Sequence, residues 1–144
     1  MTQPLVVAEP SRAYAERPPL VVDASVLASV LFGEADAGTA LSWMRGRRLC
    51  APHVVDCEIA SAGLGKILHE NADPSAVRQA MQLHALSELE RHAIDAVEVF
   101  DLALRTRLSP YDAAYLWLAS RLRAPLATFD AKLGAAALRE LKDI

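Results

Sequence analysis

Cysteine is scarce: only Cys50 and Cys57 occur in 144 residues, which makes neither a CxxC pair nor a disulfide framework. Both sit among apolar neighbours, so two buried free thiols are expected, in keeping with a reducing cytoplasm. Long apolar runs are missing as well. Nothing approaches the roughly 20 residues of a membrane span. Residues 1–18 scatter proline and charge among small residues instead of building the apolar centre of a signal peptide. They read as a poorly ordered extension, leaving residues 19–144 as a single domain. Strong charge is the third absence. A net charge of -3 is not the footprint of a dedicated nucleic-acid binder, although an acidic metal site would mask local basic patches in the total. No repeat, low-complexity tract or internal linker stands out.

What is present is enough chain for one domain with a sizeable core, and a 53% hydrophobic share that argues against disorder. Leu20 to Asp23 reads as a short buried strand. Helices follow at Ser25 to Gly33 and at Asp36 to Arg47, the latter with Leu41 and Met44 as core positions. The segment "LCAP" reads as a strand, and Asp56 to His69 as a helix with Asp56 at its N-cap. Asp73-Pro74 opens another helix, pairing a capping acid with Pro at the first helical position. "LSELERH" is assigned to a strand and residues 94–107 to a helix. Ser109-Pro110-Tyr111-Asp112 starts a helix that is apolar on most sides down to Leu122, hence buried. "PLATFD" is a further strand, followed by a helix from Ala131 to about Glu140. Strands alternating with helices imply crossover connections, a mostly parallel sheet and helices on both faces.

Two strands share one plan. "PLVVDAS" and "PLATFDAKL" each run from an apolar strand into an acid, Asp23 and Asp130, and then into a helix. In open parallel sheets, ligand sites lie outside the carboxyl ends of the strands. Taken singly, each acid is explained as a helix cap worth about 1 kcal/mol. Asp112 fits the acidic member of a capping box behind Ser109, and Glu58 lies where the helix dipole favours any acid. Taken together, two strand-end acids and two helix-start acids can converge on one crevice. Two carboxylates about 4 Å apart repel by roughly 4 kcal/mol at an effective dielectric near 20. A divalent cation relieves that repulsion, and an all-oxygen set selects Mg²⁺ or Mn²⁺ over zinc. Such a centre suits phosphodiester hydrolysis.

The segments "VVDASVLASVLFGE", "APHVVDCEIASAGLGKI" and "LSPYDAAYLWLASRLRAPLATFDAKL" together resemble PIN-domain ribonucleases, specifically the VapC toxins of toxin–antitoxin pairs. The resemblance spans about residues 20–139. It implies a PIN-like three-layer α/β/α sandwich around a mostly parallel sheet of four to five strands. It also implies that Asp23, Glu58, Asp112 and Asp130 hold Mg²⁺ or Mn²⁺ for hydrolysis of RNA. Ser25 and Thr128 match small hydroxyl positions that support the acids, with Ser25 also available to cap the helix after Asp23. Family members are commonly cytoplasmic homodimers, inhibited by a cognate antitoxin protein. One departure is visible: the family usually closes its sheet with a strand after the last helix, where this chain has "RELKDI".

Other polar residues take plainer readings. Asp56 caps its helix; Glu34 and Asp36 belong to a solvated turn; His53 has no nucleophile pattern beside it. The arginines at 45, 47, 48, 121 and 123 suit phosphate contacts or solvated helix ends. Trp43 and Trp117 fit core packing or a partner surface. Two other functions keep the same acids: a PIN-like binding module without cleavage, and a metal-dependent phosphoesterase or nuclease acting on another substrate.

Overall fold

The computed structural model describes residues 17–143, so the expectation for residues 1–16 lies outside the described residues. Four strands, β1 (Pro19–Val22), β2 (Arg48–Pro52), β3 (Glu90–His92) and β4 (Leu126–Ala127), form one sheet in the order β3-β2-β1-β4. Every pairing is parallel. Seven helices connect them among the described residues: α1 (Ala24–Leu31), α2 (Ala37–Met44), α3 (Val54–Glu70), α4 (Pro74–Leu86), α5 (Ala96–Thr106), α6 (Pro110–Leu122) and α7 (Ala131–Glu140). Parallel neighbours require such crossovers. Helices α1, α3 and α4 pack together on one side, while α5 and α6 pair on the other and α7 joins α6 and β4. This is the expected three-layer α/β/α arrangement.

The core follows from the apolar strands and from α6. Val21, Val22 and Cys50 of the central strands are fully buried, as are Tyr115, Leu116 and Leu118 of α6. Helix α6 begins as its sequence predicts, with Ser109 Oγ accepting the Asp112 backbone N–H at 3.2 Å and Pro110 at the first helical position. It stops at Arg123, whose φ of 50° is left-handed.

The four strands fall within the expected four to five: α7 runs on to Glu140, and a turn follows without a further strand among the described residues. Several other expectations need correction. Leu41 is half exposed, because α2 is short and contributes only Ala40 to the buried core. Cys57 is exposed, since it follows Asp56 on the solvent side of α3, whereas Cys50 is buried within β2; both are free thiols. Asp56 does not cap α3. His53 occupies that position without a side-chain bond, and Asp56 binds Arg91 at 2.9 Å and His84 at 2.7 Å. Burial works against its charge, but those two partners outweigh it and hold the carboxyl below its usual range. Ser25 does not cap α1 either, because the Asp23 carboxylate itself accepts the Val26 N–H.

Two glycines of α3 separate packing from propensity. A Cβ at Gly63 would meet Val77 Cγ1 at 3.0 Å and Phe32 Cζ at 3.4 Å, whereas at Gly65 it would meet nothing within 4 Å. Gly63 is where α3 approaches α4. Gly63→Val is expected to destabilise by roughly 1–3 kcal/mol through overpacking. Gly65→Ala is expected to stabilise by about 0.5–1 kcal/mol through helix propensity. Urea unfolding of the two variants checks the contrast.

Candidate active site

The carboxyl ends of β1 and β4 lie side by side, with Val22 opposite Ala127 in register. Asp23 follows β1 directly and is buried, although a buried carboxylate needs partners. Its partners come from both strand ends. Oδ1 accepts from Ser25 Oγ at 2.6 Å and from the Val26 N–H at 3.1 Å, and Oδ2 accepts from Thr128 Oγ1. Each hydroxyl is itself held: Ser25 Oγ accepts the Phe129 N–H at 3.1 Å, and Thr128 Oγ1 accepts the Asp130 N–H at 2.9 Å. Three of about four acceptor positions on the carboxylate are thereby filled. One remains for a ligand.

The other acids come from three helix starts. Asp130 caps α7 by accepting the Leu133 N–H at 2.7 Å. Asp112 lies in the first turn of α6, and Glu58 one turn into α3. Their carboxyl groups sense one another. Burial pushes the Glu58 carboxyl above its ordinary range, the Tyr115 hydroxyl pulls it down, and the charges of Asp112 and Asp23 raise it further. Burial likewise raises Asp112, helped by the charges of Asp130 and Asp23 and opposed by the Ser109 hydroxyl and Lys132. Asp130 therefore caps its helix and also lends its charge to Asp112. The charge of Asp23 acts on both Glu58 and Asp112, and that of Asp130 on Asp112; Ser25 and Thr128 hold Asp23 in place.

The donor set fits Mg²⁺ or Mn²⁺. It is all oxygen, it carries mutual repulsion that a cation would cancel, and Asp23 is oriented in advance by two hydroxyls. The cluster is also wide. Among the described residues, no three of these carboxylates bring oxygens within 4.8 Å of one another, a spacing compatible with an ion that keeps several waters. Two recesses of about 520 and 960 Å³ occur on the surface; neither is lined by any of the four acids, although Thr128 lines the second.

Tyr115 is the residue that the sequence reading passed over. Its hydroxyl donates to Glu58 Oε1 at 2.9 Å from a fully buried ring. Burial and the neighbouring Glu58 charge raise the phenol far above its ordinary range, so it remains a donor. The signal was available: Tyr115 stands three residues after Asp112, on the same helix face. His53 and the five arginines do not join the acids through any bond among the described residues. Arg48 pairs with Glu90 at 3.2 Å, and Arg121 lies 5.7 Å above the Trp117 ring. Trp43 packs against Phe129 with ring centroids 5.3 Å apart.

A carboxyl with a raised folded pKa binds its proton more tightly folded than unfolded. Its contribution favours the fold below the unfolded value and is lost as pH rises through the folded one. Without divalent metal, stability should therefore decline as pH climbs from the ordinary carboxylate range through the raised values of Glu58 and Asp112. Asp112→Asn should then melt above the parent at neutral pH, and added Mn²⁺ should raise the parent's melting temperature more than the variant's. Calorimetry with and without Mn²⁺ reads both effects. Tyr115→Phe should keep the fold but lose roughly 10–100-fold in activity. Its acid limb should move to higher pH, since Glu58 loses a bond that favours its charged form; a pH–rate profile checks this.

The profile of the PIN domain family matches residues 20–138. Ribonuclease VapC9 of Mycobacterium tuberculosis is 34% identical over 115 residues, covering 79% of this chain and 87% of that one. Ribonuclease VapC1 of the same organism is 29% identical over 119 residues, covering 81% and 89%. Among solved structures, PAE2754 of Pyrobaculum aerophilum superposes with a TM-score of 0.68 at 23% identity, over 83% of this chain and 80% of that one. VapC20 of Mycobacterium tuberculosis, described as a toxin that cleaves the sarcin–ricin loop, gives 0.60 at 16% identity, over 81% and 94%. These two structures share the fold. With the profile match across nearly all of the sheet and helices, and the VapC relatives aligned over most of their length, the chain belongs to the PIN-domain family and to its VapC branch.

Proposed function

We propose that this protein is a metal-dependent endoribonuclease, the toxin of a toxin–antitoxin pair, which hydrolyses RNA phosphodiester bonds at Asp23, Glu58, Asp112 and Asp130. The observation that carries the reading is the buried Asp23 carboxylate, held by Ser25 and Thr128 at the carboxyl ends of β1 and β4, with its charge felt by Glu58 and Asp112 from two other elements. Bound Mg²⁺ or Mn²⁺ would polarise the phosphate and activate water there. Asp23 would be the fixed ligand, since Ser25 and Thr128 leave its carboxylate no rotational freedom. Glu58, steadied by Tyr115, and Asp112 would supply further oxygens. Asp130 would complete the negative field while its own position is set by capping α7. Lys132, tied to the Arg107 carbonyl at 2.8 Å, stands beside Asp112 as a cation for the substrate backbone.

An open acidic face favours a polymer over a small molecule enclosed in a pocket. Two relatives named ribonuclease VapC support RNA as that polymer and a cognate antitoxin as the inhibitor. The exposed stripe of Val97, Phe100 and Leu104 along α5 supports a homodimer. No helix among the described residues is long and apolar enough to cross a membrane, and a cytoplasmic site of action accords with the RNA substrate.

Purified parent should cleave RNA in Mg²⁺ or Mn²⁺ and stop on chelation. Asp23→Asn and Asp112→Asn should each lose roughly 10²–10³-fold or more in rate. Expression should arrest growth for the parent and not for Asp112→Asn, with RNA ends mapped in the arrested cells. Undiminished cleavage by either variant would overturn the assignment. A folded parent that cleaves no RNA would instead favour a binding module, or an enzyme for another phosphoester.

A further inference from the structure

A second group of metal-type donors lies in β2 and β3. Cys50 is opposite Glu90 in the parallel register and Pro52 is opposite His92. Side chains two apart on a strand share a face, so Glu90 and His92 flank the Cys50 side. Arg91 points the other way, to Asp56. The Cys50 Sγ, a Glu90 carboxylate oxygen and a His92 ring nitrogen all lie within 4.8 Å of one another, the single such trio among the described residues.

Three features argue for a ligand in this place. His92 Nε2 is buried without a hydrogen-bond partner, a condition that calls for an explanation such as an ion. Glu90 Oε1 is its ion-pair partner at 3.0 Å, charged on the histidine side only if the imidazole is protonated, while Arg48 holds Oε2 at 3.2 Å. The Cys50 thiol is fully buried and has only a 3.7 Å contact with the Arg48 carbonyl. Tetrahedral zinc, with bonds of about 2.0–2.3 Å, places its ligands roughly 3.3–3.7 Å apart. The trio supplies three of the four ligands, and a water would complete the set. Thiolate and imidazole donors select zinc over magnesium.

We propose that Cys50, Glu90 and His92 form a structural zinc site, separate from the acidic cluster, that clamps the edge strand β3 to β2. The clamp has a consequence for the rest of the fold. β3 is three residues long and lies at the sheet edge, held by its pairing with β2 and by the Arg91–Asp56 bonds, to which the site would add a further tie. The His53 N–H donates to the His92 carbonyl at 3.0 Å, so the same edge sets the turn from which α3, and with it Glu58, departs.

Full-length protein purified without a metal-binding tag would be analysed for zinc, then titrated with Co²⁺ while the thiolate-to-cobalt charge-transfer band is followed. One zinc per chain and a thiolate band are expected, both retained by the Asp23→Asn/Asp112→Asn double variant. Cys50→Ser should abolish the band, and His92→Ala should weaken zinc binding by at least about tenfold. If Cys50→Ser fails to fold, His92→Ala and Glu90→Gln carry the test, since both positions are partly exposed. A parent without a thiolate band, zinc lost in the aspartate double variant, or unchanged affinity in His92→Ala would each overturn the site.

Discussion

The carboxylate of Asp23 ties two distant parts of the chain into one rigid edge. Ser25 and Thr128 donate to its two oxygens and accept the backbone N–H groups of Phe129 and Asp130. The β1–α1 and β4–α7 turns are thereby joined across more than 100 residues of sequence. Because β1 and β4 are parallel neighbours, this edge lies at their carboxyl ends, where α3 and α6 also present Glu58 and Asp112. The position of every other acid is meaningful only relative to this fixed point.

That arrangement sets stability against function. Burial first, and the neighbouring acid charges after it, raise the carboxyl groups of Glu58 and Asp112, so the fold retains charges that it would hold more easily as neutral acids. The surrounding structure limits the cost in specific ways. Asp23 is bonded on both oxygens, Asp130 caps a helix, and Glu58 receives the Tyr115 hydroxyl. The remaining repulsion is what the proposed divalent cation would relieve.

Much of this was legible in the sequence because local chemistry announces itself locally. Ser109-Pro110 starts α6, Asp73-Pro74 starts α4, and apolar runs ending in Asp23 and Asp130 mark the carboxyl ends of β1 and β4, where the candidate site lies. The failures have a common cause in partners distant along the chain. Asp56 looked like a cap, but its bonds go to His84 and Arg91, 28 and 35 residues away. Leu41 had a core-like spacing, yet α2 leans on α1 with little more than Ala40. Ser25 was assigned a capping role that Asp23 performs itself while also facing the site. Tyr115 was hidden by its own apolarity: a buried aromatic in an apolar helix reads as packing until its hydroxyl is seen against Glu58. The trio of Cys50, Glu90 and His92 depends on strand register, which no spacing pattern in the chain discloses.

The central claim is that the four acids constitute one divalent-cation centre. Anomalous diffraction from crystals grown with Mn²⁺ tests it most directly, because it locates the ion without relying on activity. The account predicts an anomalous peak in contact with Asp23 and shared with carboxylate oxygens of Glu58, Asp112 or Asp130. Well-ordered carboxylates with no manganese between them, at concentrations that support RNA cleavage, would contradict it.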